Sequence, residues 1–413
     1  MKTTGKLMGA ILDLGREMMI TGAEVWRVED LMERLFDAYC FKSWDVWVIS
    51  SCVTATVRTW NDREYTEIRR VKDRSYDLDK LERLYELAEE TIETPTSVDT
   101  IRAKVDEILE RPGLPTIQVY IAAAMAGVGF SFFYSGGFTD ALIVVIMSMA
   151  FTAFSRRMGS LMDTRLAFNA AAAFIMETIA LILMAGGIGS DIAAVTTAGI
   201  LLLASGIGFA SGIGDFLHGD TLTGLGETSS SLMGAAGIAI GIYISMIFFR
   251  DFLKHHVVLE GAANLIADPV TQLISCTIGC AGFALMFGAR RRALIFSVIG
   301  SCFTWVVYLI AVHQMHYKFF LATMISACFI ALYAGVVNAA TRIPAPIFLT
   351  SCAFPLLPGS NLYYTVFGLV SRDMELFRSQ GIKMLLVSIG IALGFIIVSN
   401  FIQIVRSIYF RIN

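Results

Sequence analysis

Apolar positions are spaced apart in the first quarter of the chain and run together in the rest, and the change falls near Arg111-Pro112-Gly113. In residues 5–20 they recur at helical spacing, pause at Thr21-Gly22-Ala23, and resume at Val25, Val28, Leu31, Met32 and Leu35. That pattern predicts two amphipathic helices joined by a tight turn. From Asp45 the period shortens. The stretches 46–49, 53–60 and 65–71 are rich in β-branched and aromatic residues and predict three strands, with Asn61-Asp62-Arg63-Glu64 as the loop between the last two. Asp77 then starts a helix through Leu87, and Ser97 or Asp99 starts another that ends before Pro112. Residues 1–112 read as a small α/β domain.

Beyond this point come apolar runs, and about 20 such residues cross a hydrocarbon core. Residues 113–260 hold five: 116–134, 140–154, 166–185, 192–211 and 232–249. After a polar stretch from Arg250 to Glu260, residues 261–413 hold five more: 270–289, 293–312, 319–340, 347 to about 357, and 384–405. The ninth is short and punctuated by Pro344, Pro346, Pro355 and Pro358, so a broken or partly extended segment is expected there. The whole reads as an α-helical polytopic membrane protein with about ten transmembrane helices.

Composition sharpens this. The 413 residues are 56% hydrophobic and only 16% charged, with mean hydropathy +0.66, which excludes an ordinary soluble globule, where about a quarter of residues carry charge. The formal net charge of −3 and the lack of a basic stripe argue against a nucleic-acid partner. Seven cysteines follow no disulfide or zinc spacing, and Cys276 and Cys280 read as small packing residues in an apolar helix. No signal-peptide run is present, because Asp13, Arg16 and Glu17 interrupt the first apolar stretch, so the N-terminus is expected in the cytoplasm.

The apolar part also repeats. At a constant offset of 153 and without gaps, Gly206, Asp220, Gly237-Ile238-Ala239, Gly241 and Ile244 fall on Gly359, Asp373, Gly390-Ile391-Ala392, Gly394 and Ile397. Shared composition is the alternative explanation, but the paired aspartates lie outside the apolar runs and keep the offset. With ten crossings, Arg156, Arg157, Arg165, Arg290-Arg291-Arg292 and Arg342 lie inside with both termini. Five spans per half is an odd number, so the second half enters the membrane upside down. The expected arrangement is therefore two inverted five-helix repeats, as secondary transporters use to expose one site to either side in turn.

Few residues stand out as chemistry. Glu177 lies midway along its apolar run, where a charge is costly, so it faces a cavity, has a partner or is protonated. Asn169 is on roughly the same helical side and Thr178 is adjacent. Glu177 is the candidate for proton coupling, with hydrogen-bonded glue between helices as the alternative. Asp215, His218 and Asp220 sit at the inner mouth of the fourth and fifth spans. Asp215 and His218, three apart, could share a proton, whereas Asp220 and Asp373 are placed to cap helices. Pro358, Gly359, Ser360, Asn361 and Tyr364, with Tyr363, form the best backbone site, since two prolines remove amide donors and a glycine follows. His218 lacks nearby His or Cys partners, so no metal is implied. Walker, dinucleotide and nucleophile-elbow motifs are absent, so neither an enzyme nor a cofactor is implied.

On its motifs the chain resembles the threonine/serine exporter family over nearly its whole length. The N-terminal match lies in Gly22-Ala23-Glu24-Val25-Trp26-Arg27-Val28-Glu29 and in the segment from Val71 to Leu81. The first membrane half matches from Asp215 to Gly224, and the second at Pro355 to Ser360. The resemblance implies efflux of threonine and serine driven by the proton motive force across a bacterial inner membrane, with a small polar metabolite, protons and lipid as partners. Members split into two proteins imply a dicarboxylate such as succinate as the alternative. A regulated channel or membrane scaffold is the alternative class, and a homo-oligomer stays open. The chain departs from symmetry at Ser205, where the other half has Pro358, and at Arg372-Asp373 in place of Gly-Asp.

Overall fold

The computed structural model describes residues 2–72, 75–159, 161–162, 164–203, 206–249 and 267–412. Ser205 and the polar stretch from Arg250 to Glu260 lie outside them.

The chain opens with helices α1 (Lys2–Ile20) and α2 (Val25–Ala38). The turn between them needs Gly22. Its φ of 105° is left-handed, and an added Cβ would stand 2.6 Å from the Tyr76 ring. Strands β1 (Ser43–Ile49), β2 (Cys52–Arg58) and β3 (Glu64–Arg70) form an antiparallel meander, with Ile49 opposite Cys52 and Arg58 opposite Glu64. Glu64, expected in the loop, is the first residue of β3. Alternate side chains Val53, Ala55 and Val57 are buried on the face that packs against α1. Helices α3 (Leu78–Glu93) and α4 (Val98–Glu110) complete this unit. Asp77 Oδ1 accepts from Lys80 N at 3.1 Å and Ser97 Oγ from Thr100 N at 3.2 Å, so Ser97 rather than Asp99 caps α4.

Twelve helices follow: α5 (Thr116–Phe133), α6 (Phe138–Met158), α7 (Arg165–Ala185), α8 (Ile192–Leu203), α9 (Gly206–His218) and α10 (Thr221–Phe248), then α11 (Pro269–Met286), α12 (Arg291–His313), α13 (Phe319–Thr341), α14 (Ala345–Cys352), α15 (Gly359–Ser371) and α16 (Met374–Ile412). Among the described residues eight are long and apolar enough to cross a membrane, and α8 with α9, bent by 58°, makes a ninth if the pair is one span. The sequence led us to expect ten. The difference lies in the proline-rich stretch, where α14 stops at Cys352, a 3-10 turn holds Phe354–Leu356, and α15 starts only after Pro358. Proline has no amide hydrogen to donate and blocks the preceding turn, so one continuous helix cannot form there.

The helix bounds repeat as the residues do. Helices α5 and α11, and α9 and α15, begin and end 153 residues apart, while α6 and α12, and α10 and α16, begin so; Ile192–Leu203 corresponds to Ala345–Leu356. Helices α5 and α11 are antiparallel and meet through small residues. A Cβ on Gly129 would lie 2.3 Å from Gly279 N, and one on Gly282 would lie 2.3 Å from Ala126 N. Since Gly282 and Gly279 are the 153-offset mates of Gly129 and Ala126, each contact is the reciprocal of the other. Phe130 meets its own mate, Phe283, with ring centroids 5.5 Å apart and the planes tilted by 57°. In the same reciprocal manner α10 packs on α15 and α16 packs on α9.

The N-terminal unit sits at one end of this bundle. Leu78 N donates to Phe287 O at 2.7 Å, and the Arg290 guanidinium reaches Glu82 and Glu86 at 3.0 Å each and Asp79 at 3.7 Å, all on α3. Burial pushes the Glu82 carboxyl up to about 7, against the pull of Arg290.

Candidate functional site

Two groups of polar side chains are assembled where the interrupted segments meet. The first is buried. Glu177 on α7 is 1% exposed and accepts from Thr196 Oγ1 on α8, which is 3.0 Å from both carboxylate oxygens. The next residue, Thr197, shares a hydrogen bond of 2.5 Å with the Tyr364 hydroxyl on α15. Consecutive threonines on one helix thus connect α7 to α15, one from each half of the chain. Tyr134 at the end of α5 donates to Ser360 Oγ at 3.2 Å, and Asn361 Nδ2 donates to Gln380 Oε1 on α16 at 2.8 Å. Pro358 and Gly359 start α15 and are buried. The backbone site expected around them is a helix start that carries Ser360, Asn361 and Tyr364 inward.

The second group lines a cavity of about 970 Å³, counting the solvent at its mouth, on the face that holds the N-terminal unit. Its walls come from α9, α14, α16 and the α1–α2 turn, and they include Ile207 and Leu357. Asp215 and His218 both face it. The His218 Nδ1 lies 2.9 Å from Gly214 O. The ring stacks on Trp26, centroids 5.4 Å apart and nearly parallel, and Trp26 carries the Arg27 guanidinium 4.2 Å from its own ring centre. Arg27 is paired with Glu24. The segment from Gly22 to Arg27 is one wall of the cavity.

Other candidates lie apart. Asn169 is two helical turns from Glu177 and donates to Gly234 O on α10 at 3.1 Å, a bond between neighbouring helices. Asp220 occupies the N-cap position of α10, but its side chain makes no cap hydrogen bond; it faces Glu29, whose carboxyl is raised chiefly by burial and further by Asp220. Asp373 does cap, since its Oδ1 accepts from Leu376 N at 3.0 Å at the start of α16. No group of three or more His, Cys, Asp or Glu is placed to hold a metal among the described residues.

Thr196, Thr197, Tyr134 and Gln380 were not singled out in the sequence. A hydroxyl inside an apolar run carries no distinctive signal, and Tyr134 and Ser360 are 226 residues apart. Asp140 was seen only as the start of a run. It is fully buried and accepts from the backbone N of Gly137, Ser190 and Asp191 and from Ser190 Oγ, which fastens the α7–α8 connection to α6. An acidic residue at the head of an apolar run close to a glycine pair is the signal that could have found it.

Comparison with known proteins agrees with this architecture. Residues 10–249 match the family described as "Putative threonine/serine exporter", and residues 272–401 match the one described as "Threonine/Serine exporter, ThrE". A protein of Mycobacterium tuberculosis named "Probable threonine/serine exporter" is 23% identical over 384 residues, which cover 90% of this chain and 71% of that protein. No solved structure matches the chain. With matches in both of its apolar halves, the chain belongs to the threonine/serine exporter family, in the form that carries both halves in one polypeptide.

Proposed function

We propose that this chain is a secondary exporter that moves threonine and serine out of the cytoplasm across a bacterial inner membrane and is driven by the proton motive force. In this reading residues 113–260 and 261–413 are two inverted five-span repeats, and residues 1–112 are a cytoplasmic α/β domain. The supporting observation is a cavity on one face whose wall includes Ile207 and Leu357, beside the Gly206–Gly359 contact between the two interrupted segments, with the Glu177, Thr196, Thr197 and Tyr364 group buried. A transporter that exposes one site to one side at a time has this form. The reciprocal α5–α11 contacts support inversion, and Arg156, Arg157 and Arg290-Arg291-Arg292, at helix ends on the face of the N-terminal unit, support its cytoplasmic placement.

An amino acid fits this interior better than a dicarboxylate. Among the described residues the buried polar side chains are carboxyls, hydroxyls and amides, with no Lys or Arg. At the buried Glu177 group a dianion would meet a carboxylate without a counter-cation, whereas an ammonium group finds a partner, and the Arg27 guanidinium on the cavity wall is already paired with Glu24. Counterflow into proteoliposomes of the full chain tests the proposal. Vesicles preloaded with threonine should accumulate labelled threonine and serine saturably and exclude succinate. Linear, non-saturable flux would indicate a channel, and accumulation of succinate alone would overturn the substrate.

A further inference from the structure

Three residues on the cavity wall, Ser211 on α9, Thr350 on α14 and Ala353 beyond it, have mates at the 153 offset: Tyr364 on α15, and Thr197 and Ile200 on α8. Ile391 on α16, also on the wall, has Ile238 on α10 as its mate. None of the four mates lines that cavity. Tyr364, Ile200 and Ile238 belong to one buried apolar cluster, with Ile200 and Ile238 2% and 0% exposed, and Tyr364 and Thr197 are hydrogen-bonded to each other. The same constellation thus occurs twice at the 153 offset, open at Ser211 and Thr350 and shut at Tyr364 and Thr197.

We infer that a second access cavity exists on the face away from the N-terminal unit, lined by Thr197, Ile200, Ile238, Ser360 and Tyr364 and closed in this structure by the Tyr364–Thr197 hydrogen bond. It takes the same ligand class as the open one, a small polar solute able to hydrogen-bond to hydroxyls. The inference rests on the proposed alternating access. Because the two halves share one backbone plan, the arrangement seen around Ser211 and Thr350 is an available arrangement around Tyr364 and Thr197, and the two exchange as the halves rock. Side-chain size sets the bias. Tyr363 and Tyr364 stand where the first half has Ala210 and Ser211, and Ile200 where the second half has Ala353. The far side therefore packs shut more fully than the near side can. Thr196 adjoins Thr197 and holds Glu177, so opening the far cavity also brings the Glu177 carboxyl within reach of that face.

The test uses a variant without its seven cysteines that still exchanges threonine, with Ile200→Cys or Ala353→Cys added singly. A membrane-impermeant maleimide is applied from each face. Ala353→Cys should react from the face of the N-terminal unit, and Ile200→Cys only from the opposite face. Adding Tyr364→Phe removes this buried hydrogen bond, so it should speed Ile200→Cys labelling relative to Ala353→Cys labelling, raising the ratio of the two rates about fivefold. An oxidised Thr197→Cys/Tyr364→Cys pair should stop exchange and far-face labelling, with recovery on reduction. If Ile200→Cys stays unreactive from the far face in every variant while exchange continues, or if the cross-linked pair still exchanges, the second cavity is wrong. Labelling requires no flux, so a folded protein that labels as described but moves neither threonine nor serine overturns the substrate assignment instead.

Discussion

Gly206 and Gly359, the same position in the two halves, touch: a Cβ on Gly206 would lie 3.1 Å from the amide nitrogen of Gly359 and 3.2 Å from its Cα. The second half of each interrupted segment begins at this contact. Gly206→Val would force the two helix starts apart, and overpacking of this kind costs about 1–3 kcal/mol. We predict that the variant inserts and folds but exchanges threonine at least about tenfold more slowly, with Gly206→Ala between it and the parent. Parent-like exchange by the Val variant at equal folded amount would remove the crossing from the working part of the cycle.

The bond from Thr196 to Glu177 survives in Glu177→Gln, because an amide oxygen still accepts, but the ionisable group is gone. Flux driven by a pH gradient should fall to near background while exchange persists, since exchange moves no net protons. Glu177→Leu leaves the Thr196 hydroxyl without this partner, at a cost of about 1–3 kcal/mol, and should lower the yield of folded protein. Normal gradient-driven flux in the Gln variant would rule out an obligatory coupling role.

Gly219 and Arg372 are also repeat mates, but the first follows His218, which stacks on Trp26 of the N-terminal unit, and the second lies at the far end of α15. Single cysteines placed at the two positions should react with an impermeant reagent from opposite faces. Reaction from the same face would contradict inversion.

At the seat of the N-terminal unit, Glu82 is 3% exposed at its side chain, and its Oε2 is buried without a hydrogen-bond partner. Its carboxyl is raised from the ordinary 4.5 to about 7 by burial. The folded state therefore binds the proton more tightly than the unfolded one, and the stability tied to this group is present at low pH and lost as pH rises from about 4.5 through 7. Glu82→Gln should flatten that part of the profile. Measured in detergent, the unfolding temperature of the parent should fall relative to the variant across this window and run parallel to it above pH 8. Parallel profiles throughout would show that Glu82 titrates normally.

Much of this architecture was legible because it depends on patterns that survive in one dimension. The 153-residue offset found through Gly206, Asp220 and Gly237 recurs in the helix bounds, and the caps at Asp77 and Ser97 stand where polar residues precede apolar runs. The proline stretch interrupts its helix as the missing amides require. What was hidden depends on contacts between distant segments. Thr197 and Tyr364 are ordinary residues until α8 and α15 cross, and no spacing rule places Trp26 against His218. The spacing of Asp215 and His218 puts both on the cavity wall, but it gave no sign that the His218 ring would stack on Trp26.

The seam between α5 and α11 bears on how the molecule is made. During synthesis α5 enters the membrane about 150 residues before its partner does, so the strip holding Ala126 and Gly129 first faces lipid, which cannot follow its contour as Gly279 and Gly282 do. The first half is therefore held in waiting, and the late arrival of α11 is the step that commits the fold. If the chain were cut between its halves, this seam would become the meeting surface of two subunits, and its reciprocal contacts would let either half pair wrongly with a second copy of itself.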